Sequence, residues 1–180
     1  MNRLKGSLFY ISGAMDRVPD GGIEWRVWIT PKLKEFGIGV LNPCDKPLDI
    51  AQENQNTRKN IQNYKNGGWF DEVRRIMKPI TNIDLRLIDV CSAVIVYLDT
   101  DVHTAGTNHE MALAIMQKKP VLIMCKQGKA GIPNWWFGIT PHELFFSSWD
   151  ELFVYLNHID KDEKVDDLNR WRFINFEKVF

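Results

Sequence analysis

The chain has 180 residues, 44% hydrophobic and 26% charged, a globular balance that excludes disordered, collagen-like and disulfide-scaffold classes. Its 23 Lys and Arg offset 23 Asp and Glu, so the formal net charge is zero and a dedicated nucleic-acid binder is not expected. This length suits one domain around one core, with a small molecule as the natural ligand class.

Leu8 to Ile11 is a short apolar run stopped by Ser12-Gly13, as a first buried strand would be. After a Gly- and Pro-containing loop, Glu24 to Phe36 places Trp25, Trp28, Ile29 and Leu33 at helical intervals; Pro31 inside it predicts a kink or a late start. Gly37 to Leu41 is a second strand, ended by Asn42-Pro43. A polar excursion over 46–70 follows, rich in Asn and Gln, which reads as a functional loop or a surface helix. Phe70 to Met77 and Ile83 to Val90 read as two helices separated by Pro79.

Ala93 to Leu98, a helix from Gly106 to Gln117 and Val121 to Cys125 make a βαβ crossover. Its strands are uninterrupted apolar runs, as a parallel sheet covered on both faces requires. A fifth strand, Leu144 to Phe146, precedes a helix from Trp149 to Asn157. The expected fold is therefore an open, doubly wound α/β sheet of about five parallel strands with helices on both faces. Residues 1–159 form that domain, and 160–180 an aromatic tail that docks on its own domain or covers a neighbouring subunit.

Cys44, Cys91 and Cys125 are widely spaced and form no CxxC pair, so they read as reduced small hydrophobes of a cytoplasmic protein. The opening apolar run is too short for a signal peptide or a membrane span, and no membrane partner is expected. His103 and His109 have no companions at ligand spacing, so neither a metal nor any other cofactor is expected.

In an open α/β sheet the ligand crevice lies outside the carboxyl ends of the strands, which selects the loops Ser12 to Gly22, Asn42 onward and Asp99 to Glu110. The stretch Gly106-Thr107-Asn108-His109-Glu110 opens a helix whose N–H groups point at such a ligand. Two readings of it stand side by side. Thr107 and Glu110 have the spacing of a capping box, which satisfies helix donors and does nothing else; alternatively, Glu110 presents a carboxylate to the ligand.

Tyr10-Ile-Ser12-Gly13-Ala14-Met, Asn42-Pro43, Asp84 through Asp89 leading into Ala-Val-Ile-Val-Tyr-Leu-Asp99, Gly106-Thr107-Asn108-His109-Glu110-Met-Ala-Leu-Ala and Lys119-Pro120-Val occur in that order. Together they resemble the nucleoside 2-deoxyribosyltransferase family and its nucleotide N-hydrolase relatives, over roughly Leu8 to Cys125. The resemblance implies chemistry at C1′ of a (deoxy)nucleoside or its 5′-monophosphate, with no cofactor. It makes Glu110 the nucleophile that forms a covalent glycosyl-enzyme, as in retaining glycosidases. Asp84 takes the place of the aspartate that contacts or protonates the departing base, with Asp89 as fallback, and Tyr10 that of the tyrosine holding the nucleophile. Ser12, Gly13 and Ala14 match the turn that lines the sugar or cradles a 5′-phosphate; Gly106, Thr107 and Asn108 complete the substrate wall. A homo-oligomer is expected on the same ground.

Structural roles compete with these: a helix cap or surface position for Asp84, core packing for Tyr10. The family usually has an aspartate just before Gly106, where this chain has His103-Thr104-Ala105. Arg17 and Arg26 read as a phosphate clamp or as solvated charges, and Pro133 to Phe137 as a base-stacking wall, an interface or core. The competing function class is a nucleotide-binding or sensing module without turnover. A receiver-like or flavodoxin-like domain would share the sheet, but lacks its acidic cluster or hydroxyl-rich loop here.

Overall fold

In the computed structural model, which describes residues 2–46, 51–161 and 170–173, five strands form: β1 Leu8–Gly13, β2 Gly39–Leu41, β3 Ala93–Leu98, β4 Val121–Cys125 and β5 Phe145–Phe146. All pair in parallel, in the order β2-β1-β3-β4-β5. The helices are α1 Ile23–Glu35, α2 Gln55–Asn66, α3 Phe70–Val90, α4 Ala105–Met116, α5 Asn134–Phe137 and α6 Trp149–Lys161. This is the open doubly wound sheet the sequence predicts. From β1 the chain moves outward to β2, then returns past β1 to β3, so the strand order reverses between β1 and β3. The carboxyl ends of those two strands frame the crevice.

Side chains alternate along a strand, so β1 serves both faces of the sheet. Phe9 and Ile11 pack with Ile29 and Leu33 of α1 and with Leu152, Leu156 and Ile159 of α6. Tyr10 points the other way and packs with Val94, Val96, Ile88 of α3, and Met111 and Ala114 of α4. The same alternation sends Ser12 to the face of Tyr10, beneath the opening turns of α4.

Several expectations about the helices are corrected. α1 starts at Ile23 and runs through Pro31, so the proline does not delay it. The carbonyl deprived of a donor there belongs to Val27, whose side chain is 64% exposed, and water is at hand. α3 is one helix through Pro79, not two. A proline inside a helix costs about 3 kcal/mol, but the freed carbonyl is that of exposed Arg75, while Ile80, Asp84 and Ile88 keep one continuous buried stripe. The polar excursion resolves partly into α2, capped by the Asn54 side chain on the Thr57 N–H; its residues 47–50 lie outside the described residues. β5 begins one residue late, at Phe145, and α6 extends to Lys161.

The part of the tail that is described docks on its own domain. Trp171 is 4% exposed, packs beside Phe9 and donates its indole N–H to the Tyr155 hydroxyl at 2.8 Å. The rest of 160–180 beyond Lys161 and outside 170–173 is not among the described residues. Cys91 and Cys125 are buried and Cys44 half-buried, all three with free thiols. Among the described residues, no helix is long and apolar enough to cross a membrane.

Candidate active site

A cavity of about 440 Å³ opens at the carboxyl ends of β1 and β3, walled by α3 on one side and the start of α4 on the other. Glu110 stands in its wall with both carboxylate oxygens held. The Tyr10 hydroxyl donates to Oε1 at 2.9 Å, and the Ser12 hydroxyl donates to Oε2. Tyr10 and Ser12 are both fully buried. They reach the same carboxylate because residues two apart on a strand share a face. Burial, then the neighbouring Glu110 charge, raises the Tyr10 pKa well above its ordinary value, so its hydroxyl keeps its proton and stays a donor.

The capping-box reading of Glu110 does not hold. The N-cap of α4 is Thr104, whose hydroxyl accepts from the Thr107 N–H at 3.3 Å and donates to Thr107 Oγ1 at 2.8 Å. Helix growth from Ala105 places Glu110 a full turn inside, beyond reach of the orphan N–H groups that a cap serves. Its carboxylate is bonded to the sheet instead.

Opposite Glu110, Asp84 takes a core position on α3, four residues from both Ile80 and Ile88. Its Oδ1 lies 2.8 Å from the ammonium of Lys46, whose side chain is fully buried. The contact is an ion pair without good hydrogen-bond alignment. Burial raises the Asp84 pKa to about 6, with Lys46 pulling against that rise and the Glu110 and Glu53 charges adding to it. Asp84 is therefore divided between acid and carboxylate near neutral pH. Glu53 also lines the cavity, and its own burial raises its pKa.

The other expected residues divide. Gly13, Gly106 and Thr107 line the cavity. Gly13 has to be glycine for packing, since a Cβ there would sit 2.9 Å from the Trp25 ring and 3.1 Å from the Tyr97 carbonyl. Ala14 does not line the cavity; its carbonyl backs onto Gly22, where φ is +74° and a Cβ would meet it at 2.3 Å. Asn108 is exposed on the outer side of α4. Asp89 is at the wrong end. It belongs to the last turn of α3, by the amino end of β3, and there accepts from Gln117 at 2.8 Å and pairs with Arg86 at 3.4 Å.

Arg26 is no phosphate clamp. It is 1% exposed, and its guanidinium donates to the carbonyls of Gly22 at 2.6 Å, Gly13 at 2.9 Å and Ile11 at 3.4 Å, tying the loop after β1 to α1. Arg17 borders the cavity with a left-handed φ of 63°. The 133–137 stretch lies elsewhere: Trp136 packs into the core and Phe137 meets Phe145 edge-on at 4.9 Å. His103 and His109 are exposed at the cavity rim. Among the described residues, no three His, Cys, Asp or Glu converge as a metal site would need.

Sequence reasoning missed Lys46, Glu53 and the α3 wall of Met77, Ile80 and Thr81. Only the α3 residues left a signal: Met77, Ile80, Thr81 and Asp84 recur at helical spacing once Pro79 is read through.

Comparison with solved structures places this architecture. A 2-deoxyribosyltransferase from the psychrotolerant bacterium Bacillus psychrosaccharolyticus superposes with a TM-score of 0.56 at 17% identity, over 93% of this chain and 99% of that one. A 2-deoxyribosyltransferase from Leishmania mexicana gives 0.50 at 19% identity, over 84% of this chain and 98% of that one. The fold is that of the 2-deoxyribosyltransferases. No family model and no curated protein matches the sequence. At this identity the likeness speaks for the fold, and the case for chemistry rests on the side chains around the cavity.

Proposed function

We propose that the protein is a distant member of the nucleoside 2-deoxyribosyltransferase family that cleaves or exchanges the N-glycosidic bond of a (deoxy)nucleoside. The observation that carries this reading is the Glu110 carboxylate, fixed at both oxygens by Tyr10 and Ser12 in the wall of a cavity that Asp84 also enters. A helix-capping or solvated glutamate has no use for two buried hydroxyl donors from a strand.

In the first step a Glu110 oxygen bonds to C1′ as the C1′–N bond breaks. The bonding pair leaves with the base, and the Asp84 carboxyl transfers its proton to that base. The developing positive charge at C1′ faces the carboxylate, and the sugar ends bound to Glu110. In the second step an acceptor base, or water, attacks C1′ from the other side and gives its proton to the Asp84 carboxylate, while Glu110 departs. Two inversions give net retention. A pKa near 6 suits both duties of Asp84, because neither protonation state is far from neutral pH.

Substrates without a 5′-phosphate fit this site better. The Ser12 hydroxyl at the end of β1, expected to cradle a phosphate, is committed to Glu110, and Arg26 is committed to three carbonyls, which leaves Arg17 at the cavity border as the one arginine of the expected clamp not so committed. The test is chromatographic. Deoxyribo- and ribonucleosides and their 5′-monophosphates are incubated with wild type and with Glu110→Ala, with and without an acceptor base. Wild type is expected to release or exchange base from nucleosides and Glu110→Ala to release none. Equal absence of product, with ligand-induced thermal stabilisation of both proteins, would favour a sensing module instead.

A further inference from the structure

Lys46 is anomalous. Lysine is almost never fully buried unless paired, yet this side chain has no exposure at all and, among the described residues, one ionic contact, Asp84 Oδ1 at 2.8 Å. Among the described residues its ammonium finds no well-aligned hydrogen-bond partner. No strand or helix of the described structure carries it; it sits past β2, where the Gln52 amide donates to its carbonyl. A lysine serving only to fill space would be outperformed there by methionine, because stripping an ammonium of water is costly unless a partner repays it.

We propose that Lys46 is a positioning residue, which fixes the Asp84 carboxyl against α3 and supplies the countercharge when that carboxyl gives its proton to the leaving base. This rests on the glycosidic reading above. Asp84 Oδ1 is sealed against Lys46, and the 12% of the side chain that remains exposed faces the cavity it lines. Proton transfer to the base leaves a carboxylate in a buried site. Among the described residues, the titratable groups that face it are Lys46 from the segment after β2, Glu53 from the segment before α2, Tyr10 from β1 and Glu110 from α4. Two of these are carboxyls that repel the new charge, and the tyrosine is neutral. Lys46 is the cation among them. It offsets the repulsion, keeps Asp84 acidic enough to protonate a base at neutral pH, and holds the resulting carboxylate ionised until an acceptor returns a proton to it.

The test reads Asp84 directly. Carbon-13 carboxyl titration by NMR, with Asp84→Asn used to assign the signal, is run on wild type, Lys46→Met and Lys46→Arg. Loss of an opposite charge at this distance is expected to move the Asp84 titration upward by about 1–3 pH units. Lys46→Arg, which keeps the charge, should restore it. If Lys46→Met does not fold by circular dichroism, Lys46→Gln gives the same neutral comparison. In turnover, the alkaline limb of base release should rise in pH with the titration. Exchange onto an acceptor at neutral pH should fall at least tenfold, because Asp84 stays protonated. A uniform loss of rate with an unmoved limb marks a merely structural lysine, and an unmoved Asp84 titration overturns the assignment. Wild type that releases no base overturns the glycosidic reading, a different result from either.

Discussion

Arg26→Met separates the two roles an arginine beside this cavity could have. In the structure the guanidinium makes two short bonds, to Gly22 O at 2.6 Å and Gly13 O at 2.9 Å, and a longer one to Ile11 O at 3.4 Å. Hydrogen bonds to charged groups contribute about 1.5–3 kcal/mol each, so the two short ones amount to about 3–6 kcal/mol. Removing the charge also removes its burial cost, which presses the Arg26 pKa down, while methionine keeps most of the stem's packing. The net loss expected is about 2–4 kcal/mol, read as a lower midpoint in urea denaturation followed by circular dichroism. Arg26→Lys should recover little of that loss, since an ammonium lacks the planar fork that reaches both short-bonded carbonyls. A loss under about 1 kcal/mol, accompanied by selective weakening of 5′-monophosphate binding over nucleoside binding, would refute the loop-clamp account and restore the phosphate clamp.

Three further outcomes follow from the same geometry. Tyr10→Phe removes the donor to Glu110 Oε1 and should slow base release about ten- to hundredfold, the worth of one hydrogen bond to a charged group; unchanged kinetics would mean the carboxylate needs no orienting there. Thr104→Ala should lower stability by about 1 kcal/mol in denaturant, as loss of an N-cap does, and no change would put the α4 cap elsewhere. Trp171→Ala should cost about 3–5 kcal/mol by the same assay, since the ring is buried beside Phe9 and Tyr155; a loss below about 1 kcal/mol would mean the tail is not part of the core.

The strands of the sheet were legible because β3 and β4 are buried on both faces and their runs are continuously apolar. Tyr10, Ser12 and Glu110 were legible as a motif, and the resemblance already gave Tyr10 the task of holding Glu110, which its 2.9 Å bond matches; the Ser12 bond was not legible, since 98 residues separate Ser12 from Glu110. Two threonines three apart compete for the start of α4, and only the backbone geometry selects Thr104. Pro79 reads locally as a helix break, but the buried stripe of Ile80, Asp84 and Ile88 overrides its cost and carries α3 through it. Arg26 did leave a trace, since it shares the helical stripe of Ile29 and Leu33 and a charge on that stripe needs partners. Lys46 and Glu53 left none. Both lie within a polar run with no period, and Lys46 meets its partner, Asp84 of α3, only in the folded chain.

The proposed chemistry turns on Glu110 becoming covalently bonded to the sugar. The most direct measurement is quenching wild type during turnover of a 2′-deoxynucleoside and mapping the digested protein by mass spectrometry. A deoxyribosyl adduct is expected on the peptide carrying Glu110, and it should disappear when an acceptor base is added before the quench. Base release with the adduct on another residue, or with full activity retained by Glu110→Ala, would contradict it.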